Sequence, residues 1–129
     1  MKYMLDTDVC VACLRGNSDA LSKVKLHEAA NYALSVITVC ELLYGARKGK
    51  RPQGETETLE FIDFFHVVSY DQQVAREYAD IRCHLEAQGT PIGSEDLFIA
   101  AHARYLGLSL VTRNLREFQR VPYLLVETW

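Results

Sequence analysis

The chain has 129 residues, 49% of them hydrophobic and 24% charged. These proportions suit one folded domain over residues 1–129 and exclude a disordered segment or a low-complexity repeat. No apolar run is long enough to cross a bilayer, and a net charge of -3 argues against a generally basic nucleic-acid-binding domain.

The chain opens directly on a strand pattern. The succession of positive, apolar and small-residue segments that marks a secretory leader is absent, so the cytoplasm is the expected compartment. Residues 2–5 read as a buried strand and 8–15 as a helix ending at Gly16. Asn17, Ser18 and Asp19 offer caps for a second helix over 19–29, and a second strand spans 32–36. Thr38 and Glu41 have the spacing of a capping box for a third helix reaching Arg47. A polar loop follows over 50–54, then a helix over 55–64 and a strand over 66–69. Asp71 caps a long helix to Gln88, with Val74, Tyr78, Ile81 and Leu85 on one face, closed by Gly89. Ser94 caps a helix over 95–105, stopped by Gly107. Strands over 108–112 and 124–126 flank a helical turn at 114–118. Strands alternating with helices predict an α/β fold: a three-layer α/β/α sandwich around a central parallel sheet of four to five strands.

Cys10, Cys13, Cys40 and Cys83 sit in apolar helical patterns and read as buried free thiols. Cys10-x-x-Cys13 lacks the two further soft or imidazole ligands that zinc requires.

Three acids fall at element boundaries. Asp6 ends the first strand, Glu41 follows the second, and Asp96 opens a helix after Pro91-Ile92-Gly93. Each has an ordinary structural role open to it. Glu41 closes a capping box, Asp96 and Glu95 meet a helix dipole, Asp6 bonds a turn and Asp8 caps a helix. Taken as a set without matching histidines, they point to hard divalent cations such as Mg²⁺ or Mn²⁺, which take carboxylate oxygens and keep waters. Such ions hold and polarise phosphate oxygens and make a water more acidic. Ligands of open parallel sheets bind beyond the carboxyl ends of the strands, where Asp6 lies.

The pattern resembles the PIN-domain ribonucleases, and more closely the VapC-type toxins of bacterial toxin–antitoxin pairs. Four stretches carry the resemblance in order: Met4-Leu5-Asp6-Thr7; Ser35 to Gly45 around Glu41; Pro91 to Ala103 around Asp96; and Leu110 to Phe118, with Thr112 and Asn114. The resemblance implies that Asp6, Glu41 and Asp96 form the core of a Mg²⁺- or Mn²⁺-dependent site. It implies single-stranded or looped RNA as substrate, often tRNA, together with a homodimer and a cognate antitoxin that lays a helical tail into a groove near the site. Thr112 is placed to support the acids through its hydroxyl, or equally to serve as an ordinary β-branched strand residue. Two positions depart from the pattern. Asp8 stands where many relatives have Asn, and Asn114 stands where many have a fourth Asp, which weakens a second metal.

Arg113 and Arg116 come just after the strand expected to carry the site and suit phosphate clamping, or equally a solvated turn. Arg47, Lys48, Lys50 and Arg51 form a second basic cluster suited to an RNA backbone, or equally a solvated surface. Arg104 and Arg120 complete the basic residues of the C-terminal third. Tyr44, Phe61, Phe64, Phe65, Tyr78 and Phe98 mostly sit at core spacing, with Tyr44 a candidate partner contact. His27, His66, His84 and His102 fall in unrelated contexts and support no metal-free acid–base mechanism. No nucleophilic triad motif or Gly-rich phosphate loop is present. The leading expectation is a metal-dependent endoribonuclease leaving 5′-phosphate and 3′-hydroxyl ends. The alternative is a catalytically weakened nucleic-acid-binding or regulatory protein of the same fold. Asp6-x-Asp8 also has the look of haloacid-dehalogenase-type phosphatases, whose further motifs fit poorly here.

Overall fold

The first strand, β1 (Tyr3–Leu5), is buried along its whole length at the centre of a five-stranded parallel sheet in the computed structural model, which describes residues 1–49 and 52–129. Helices α1 (Thr7–Leu14) and α2 (Ser18–Val24) lead to β2 (Tyr32–Ser35). Helices α3 (Val36–Lys48) and α4 (Gly54–Asp63) lead to β3 (His66–Val68). The chain then runs through α5 (Gln72–Ala87), α6 (Ser94–Leu106), β4 (Ser109–Val111), α7 (Leu115–Phe118) and β5 (Val126–Glu127).

The strand order is β3-β2-β1-β4-β5. The chain builds outward on one side of β1, then crosses over to lay β4 and β5 on the other. That reversal opens a crevice at the carboxyl ends of β1 and β4, where such sheets hold their ligands. Register places Leu5 beside Val111, so the residues just past each strand, Asp6 and Thr112, emerge side by side.

Alternation along the strands builds the three layers. Tyr3, Leu5, Tyr32, Leu34 and Val111 pack with Val9, Leu42 and Ile62 of α1, α3 and α4. Met4, Ala33 and Leu110 face the other way, onto Val74, Ile81 and Leu85 of α5 and Ile99 and Ala103 of α6. Arg104 of α6 ties this second layer together. It donates to Glu77 Oε1 at 2.5 Å, Asp80 Oδ2 at 2.6 Å and the Pro122 carbonyl at 3.1 Å.

Several local expectations change. The second helix is shorter than 19–29: α2 ends at Val24, whose carbonyl accepts from the Tyr32 hydroxyl at 2.7 Å, and a 3-10 turn follows at Ala29–Asn31. The capping box at Thr38 and Glu41 does not form. Helix α3 starts earlier, capped by Ser35, whose Oγ accepts from Ile37 N at 3.1 Å. Ser94 is already the first residue of α6, and Gly93 holds the cap position without a side-chain bond. Asp6, not Asp8, caps α1. Cys10 and Cys13 are buried, but Cys40 and Cys83 are exposed on the outer faces of α3 and α5; all four are free. Tyr44 and Phe64 also face outward, at 66% and 71% exposure. Lys50 and Arg51 lie outside the described residues. No described helix is long and apolar enough to cross a membrane.

Candidate active site

Asp6 is only 4% exposed, and both its oxygens are engaged. Oδ1 accepts from Thr7 N at 2.8 Å and so caps α1, while Oδ2 accepts from the Thr112 hydroxyl at 2.7 Å. Its backbone N–H donates to the Val111 carbonyl at 2.8 Å, which extends the β1–β4 ladder by one residue. Thr112 is fully buried, and its oxygen also accepts from Asn114 N at 2.9 Å. That second bond leaves its single proton for Asp6.

Glu41 reaches the same crevice from the second turn of α3. Thr7 Oγ1 lies 2.9 Å from Glu41 Oε1 and 3.0 Å from Thr38 Oγ1. The hydroxyl has one proton, and the carboxylate is the stronger acceptor, so Thr38 donates to Thr7 and Thr7 to Glu41. Thr7 and Thr112 thus each hold a carboxylate that arrives on another element. Asp8, in the first turn of α1, accepts from Arg113 N at 3.1 Å. Asp96 is the third residue of α6.

These acids sense one another. Burial is the main force raising Asp6 to about 7; the charges of Asp8 and Asp96 add to it, against the hydrogen bonds from Thr112 and Thr7. Burial likewise raises Asp96 to about 7, helped by Glu117 beside it and by the charges of Glu41 and Asp8. Glu41 is raised by burial and by Glu95, against the bond from Thr7. Desolvation and like charge both disfavour the ionised forms.

Asp6, Asp8, Glu41 and Asp96 line one cleft of about 670 Å³, with Asn114, Arg113 and Arg15 at its walls. The donors are carboxylate and amide oxygens, the chemistry that Mg²⁺ and Mn²⁺ select. Among the described residues no three His, Cys, Asp or Glu side chains already stand close enough to hold an ion. Like charges facing one cleft repel, and drawing them into a cage takes a cation.

Of the sequence-predicted residues, Asp6, Glu41, Asp96, Asn114 and Arg113 line the cleft, and Thr112 stands behind Asp6. Arg116 is exposed on α7 and does not line it. Arg47 lies at the far end of α3 from Ser35 and pairs with Glu55 at 2.9 Å, and Lys48 covers the Tyr44 ring at 5.7 Å. Arg120 donates to the Pro91 carbonyl at 3.2 Å. Two features escaped sequence reasoning. Glu117 accepts from Asn114 Nδ2 at 3.2 Å and acts on Asp96. The next carboxylate near the neutral Asn114 is therefore three residues further on, one helical turn away. Arg15 enters the cleft wall from the end of α1, where only tertiary structure brings it near the acids.

Residues 3–123 match the family model of the PIN domain. The chain is 38% identical to the tRNA(fMet)-specific endonuclease VapC of Salmonella typhimurium, covering 100% of this chain and 98% of that protein. It is 39% identical to the ribonuclease VapC2 of Haemophilus influenzae over the same shares. The fold superposes on the crystal structure of DNA-bound VapBC from Salmonella typhimurium with a TM-score of 0.92 and 38% identity, covering 100% of this chain and 98% of that one. For VapBC2 of Rickettsia felis, bound to a DNA fragment from its promoter, the TM-score is 0.91 at 32% identity, with 100% and 99% covered.

Proposed function

The chain belongs to the PIN-domain family, and we propose that it is a VapC-type toxin: an Mg²⁺- or Mn²⁺-dependent endoribonuclease that cuts RNA, with tRNA the favoured substrate, and is held in check by a cognate antitoxin. The observation that carries this reading is the meeting of Asp6, Asp8, Glu41 and Asp96 at one cleft beyond the ends of β1 and β4. Relatives named as a tRNA endonuclease and a ribonuclease, matched end to end, support it.

A divalent ion bound by Asp6, Glu41 and Asp96 supplies charge that polarises a phosphate oxygen and lowers the pKa of water. The protein's own residues do the positioning. Thr112 restrains the rotamer of Asp6 and Thr7 that of Glu41, so both carboxylates are oriented by hydroxyls of the protein itself. Asp6 and Asp96, raised to about 7, accept a proton readily near neutral pH. Arg113, exposed at the cleft wall, meets the phosphate backbone. The expected products carry a 5′-phosphate and a 3′-hydroxyl.

The solved relatives include VapBC structures of Salmonella typhimurium and Rickettsia felis, at 38% and 32% identity, which supports an antitoxin partner here. An apolar groove of about 280 Å³, lined by Leu21, Val24, Tyr32, Phe61 and Phe64, suits the apolar face of an antitoxin helix. A homodimer acting in the cytoplasm completes the proposal.

The test is cleavage of purified tRNA with and without Mn²⁺, with Asp96→Asn alongside and the product ends mapped. Metal-independent cutting, or a 2′,3′-cyclic phosphate, overturns it. The alternative of a weakened site draws on Asn114 alone, and the nearby Glu117 carboxylate counts against it.

A further inference from the structure

We infer that Arg15 binds a phosphate of a nucleotide flanking the scissile bond, and that the furrow beside it carries that nucleotide; this rests on the ribonuclease reading above. The acid cleft does not end at the acids. It continues into a furrow of about 380 Å³ that shares Val11, Arg15 and Glu41 with it. A smaller hollow of about 60 Å³ adjoins the cleft and shares Asn17 and Arg113. An arginine therefore stands at each passage out of the cleft.

Neither side chain has a partner among the described residues, although Asp8, Glu41 and Asp96 line the same space. The arginines elsewhere are largely occupied. Arg47, Arg82 and Arg104 are ion-paired, and Arg120 bonds a carbonyl. A free guanidinium at an acidic cleft keeps its fork of donors for an incoming anion, and a phosphodiester matches that fork in shape and charge.

The furrow is shaped to take the nucleoside joined to that phosphate. Its wall is Gly45, Ala46, Gly49 and Gly54, with Leu14 and Leu42 giving apolar surface. Gly45 sits inside α3, where glycine is less favourable than alanine. A Cβ added there meets nothing within 4 Å, and the backbone is not left-handed. Neither packing nor conformation demands glycine at this position; its effect is to leave the furrow open. A volume of about 380 Å³ falls at the small end of ligand pockets, roughly 300–1,000 Å³, and its largely apolar wall suits a sugar and base.

The experiment measures binding of a labelled, mixed-sequence, single-stranded oligoribonucleotide to the Asp96→Asn protein in a salt series, alongside tRNA cleavage by the otherwise wild-type chain. Arg15→Gln in the Asp96→Asn background is expected to weaken binding about tenfold and to reduce the salt slope by about 0.7, one phosphate contact. Gly45→Leu is expected to weaken binding without changing the slope while melting no lower than its parent; Gly45→Ala shows the same trend more weakly. Arg76→Gln, at an exposed position on α5, controls for net charge and leaves binding unchanged. In cleavage, the Arg15 and Gly45 variants raise KM more than they lower kcat. If the wild type cuts RNA while both variants bind and cut as their parents do, this inference falls and the ribonuclease reading stands. If the wild type cuts no RNA with Mg²⁺ or Mn²⁺, the ribonuclease reading itself falls.

Discussion

Thr112 gives its hydroxyl proton to Asp6 at 2.7 Å, joining residues 106 positions apart in sequence. The bond is buried and ends on a carboxylate, so it is of the stronger kind. Thr112→Val keeps the shape but removes the donor and strands Asn114 N–H. The expected loss is about 2 kcal/mol of stability near pH 8, where Asp6 is ionised, and roughly 10–100-fold in activity, the range for groups that orient a metal ligand. Thr112→Ser should restore most of both. Full activity in Thr112→Val would show that Asp6 needs no such support.

Asp96→Asn separates stability from catalysis. The metal-free fold carries several carboxylates at one cleft, and Glu117, Glu41 and Asp8 all push Asp96 upward. Removing its charge is expected to stabilise the metal-free protein by about 1–2 kcal/mol at pH near 8, while activity falls at least about a hundredfold. Calorimetry and cleavage on one preparation check both, and a lower melting temperature would contradict repulsion among these acids.

The pH dependence has a definite sign. Asp6 and Asp96 titrate near 7 in the fold and near 3.8 as free side chains. Between those values the folded chain keeps protons that the unfolded chain has released, so stability falls as pH rises. Their favourable contribution is whole below about pH 4 and lost above about pH 7. Buried His102 works the other way. Burial lowers it from 6.5, so its contribution is whole above that value and declines as pH falls. Urea titrations of the metal-free protein should show the contribution of these acids dropping between about pH 4 and pH 7 and levelling off above that, and Mn²⁺ should reduce that drop by favouring the ionised acids. A flat profile without metal would refute the coupling.

Ser35 has two tasks. Its oxygen caps α3 and lies 2.8 Å from Nδ1 of the fully buried His102. Ser35→Ala therefore loses a cap and leaves a ring nitrogen unpaired, a combined cost of about 2–3 kcal/mol. Ser94→Ala, which removes no cap bond, should stay within about 0.5 kcal/mol. Equal melting temperatures for the two variants would place the α3 cap elsewhere.

Glu117 stands beside Asn114 and Asp96. If it supplies the negative charge that Asn114 lacks, Glu117→Gln weakens Mn²⁺ binding by roughly tenfold, the low end for a group that supports a metal-binding carboxylate. Isothermal titration of the variant beside Asp96→Asn reads this directly, and unchanged affinity would remove Glu117 from the site.

Much of the architecture was legible because period and punctuation agreed. Met4 and Leu5 alternate between the two cores, Asp71 caps α5, and Gly89 and Gly107 adopt the left-handed conformation that ends a helix. Where two signals competed, the sequence was ambiguous. Thr38 and Glu41 have the spacing of a capping box, yet the strand hands over directly to the helix at Ser35, which takes the cap and leaves Thr38 to face Thr7. The acids that line the cleft could be picked out because they follow strands or open helices. Glu117 and Arg15 could not, since their places depend on how α7 and α1 pack. Nor could the pairing of Arg47 with Glu55, which turns a basic cluster partly into a surface ion pair.

Because β1 sits between β2 and β4, Tyr3 pairs with Tyr32 on one side and with Ser109, far along the chain, on the other. Asp6 gains its buried partner, and the cleft its second wall, only once residues 109–114 have docked against β1. A fragment that stops short of β4 therefore lacks both the hydroxyl that holds Asp6 and half of the crevice in which the acids meet.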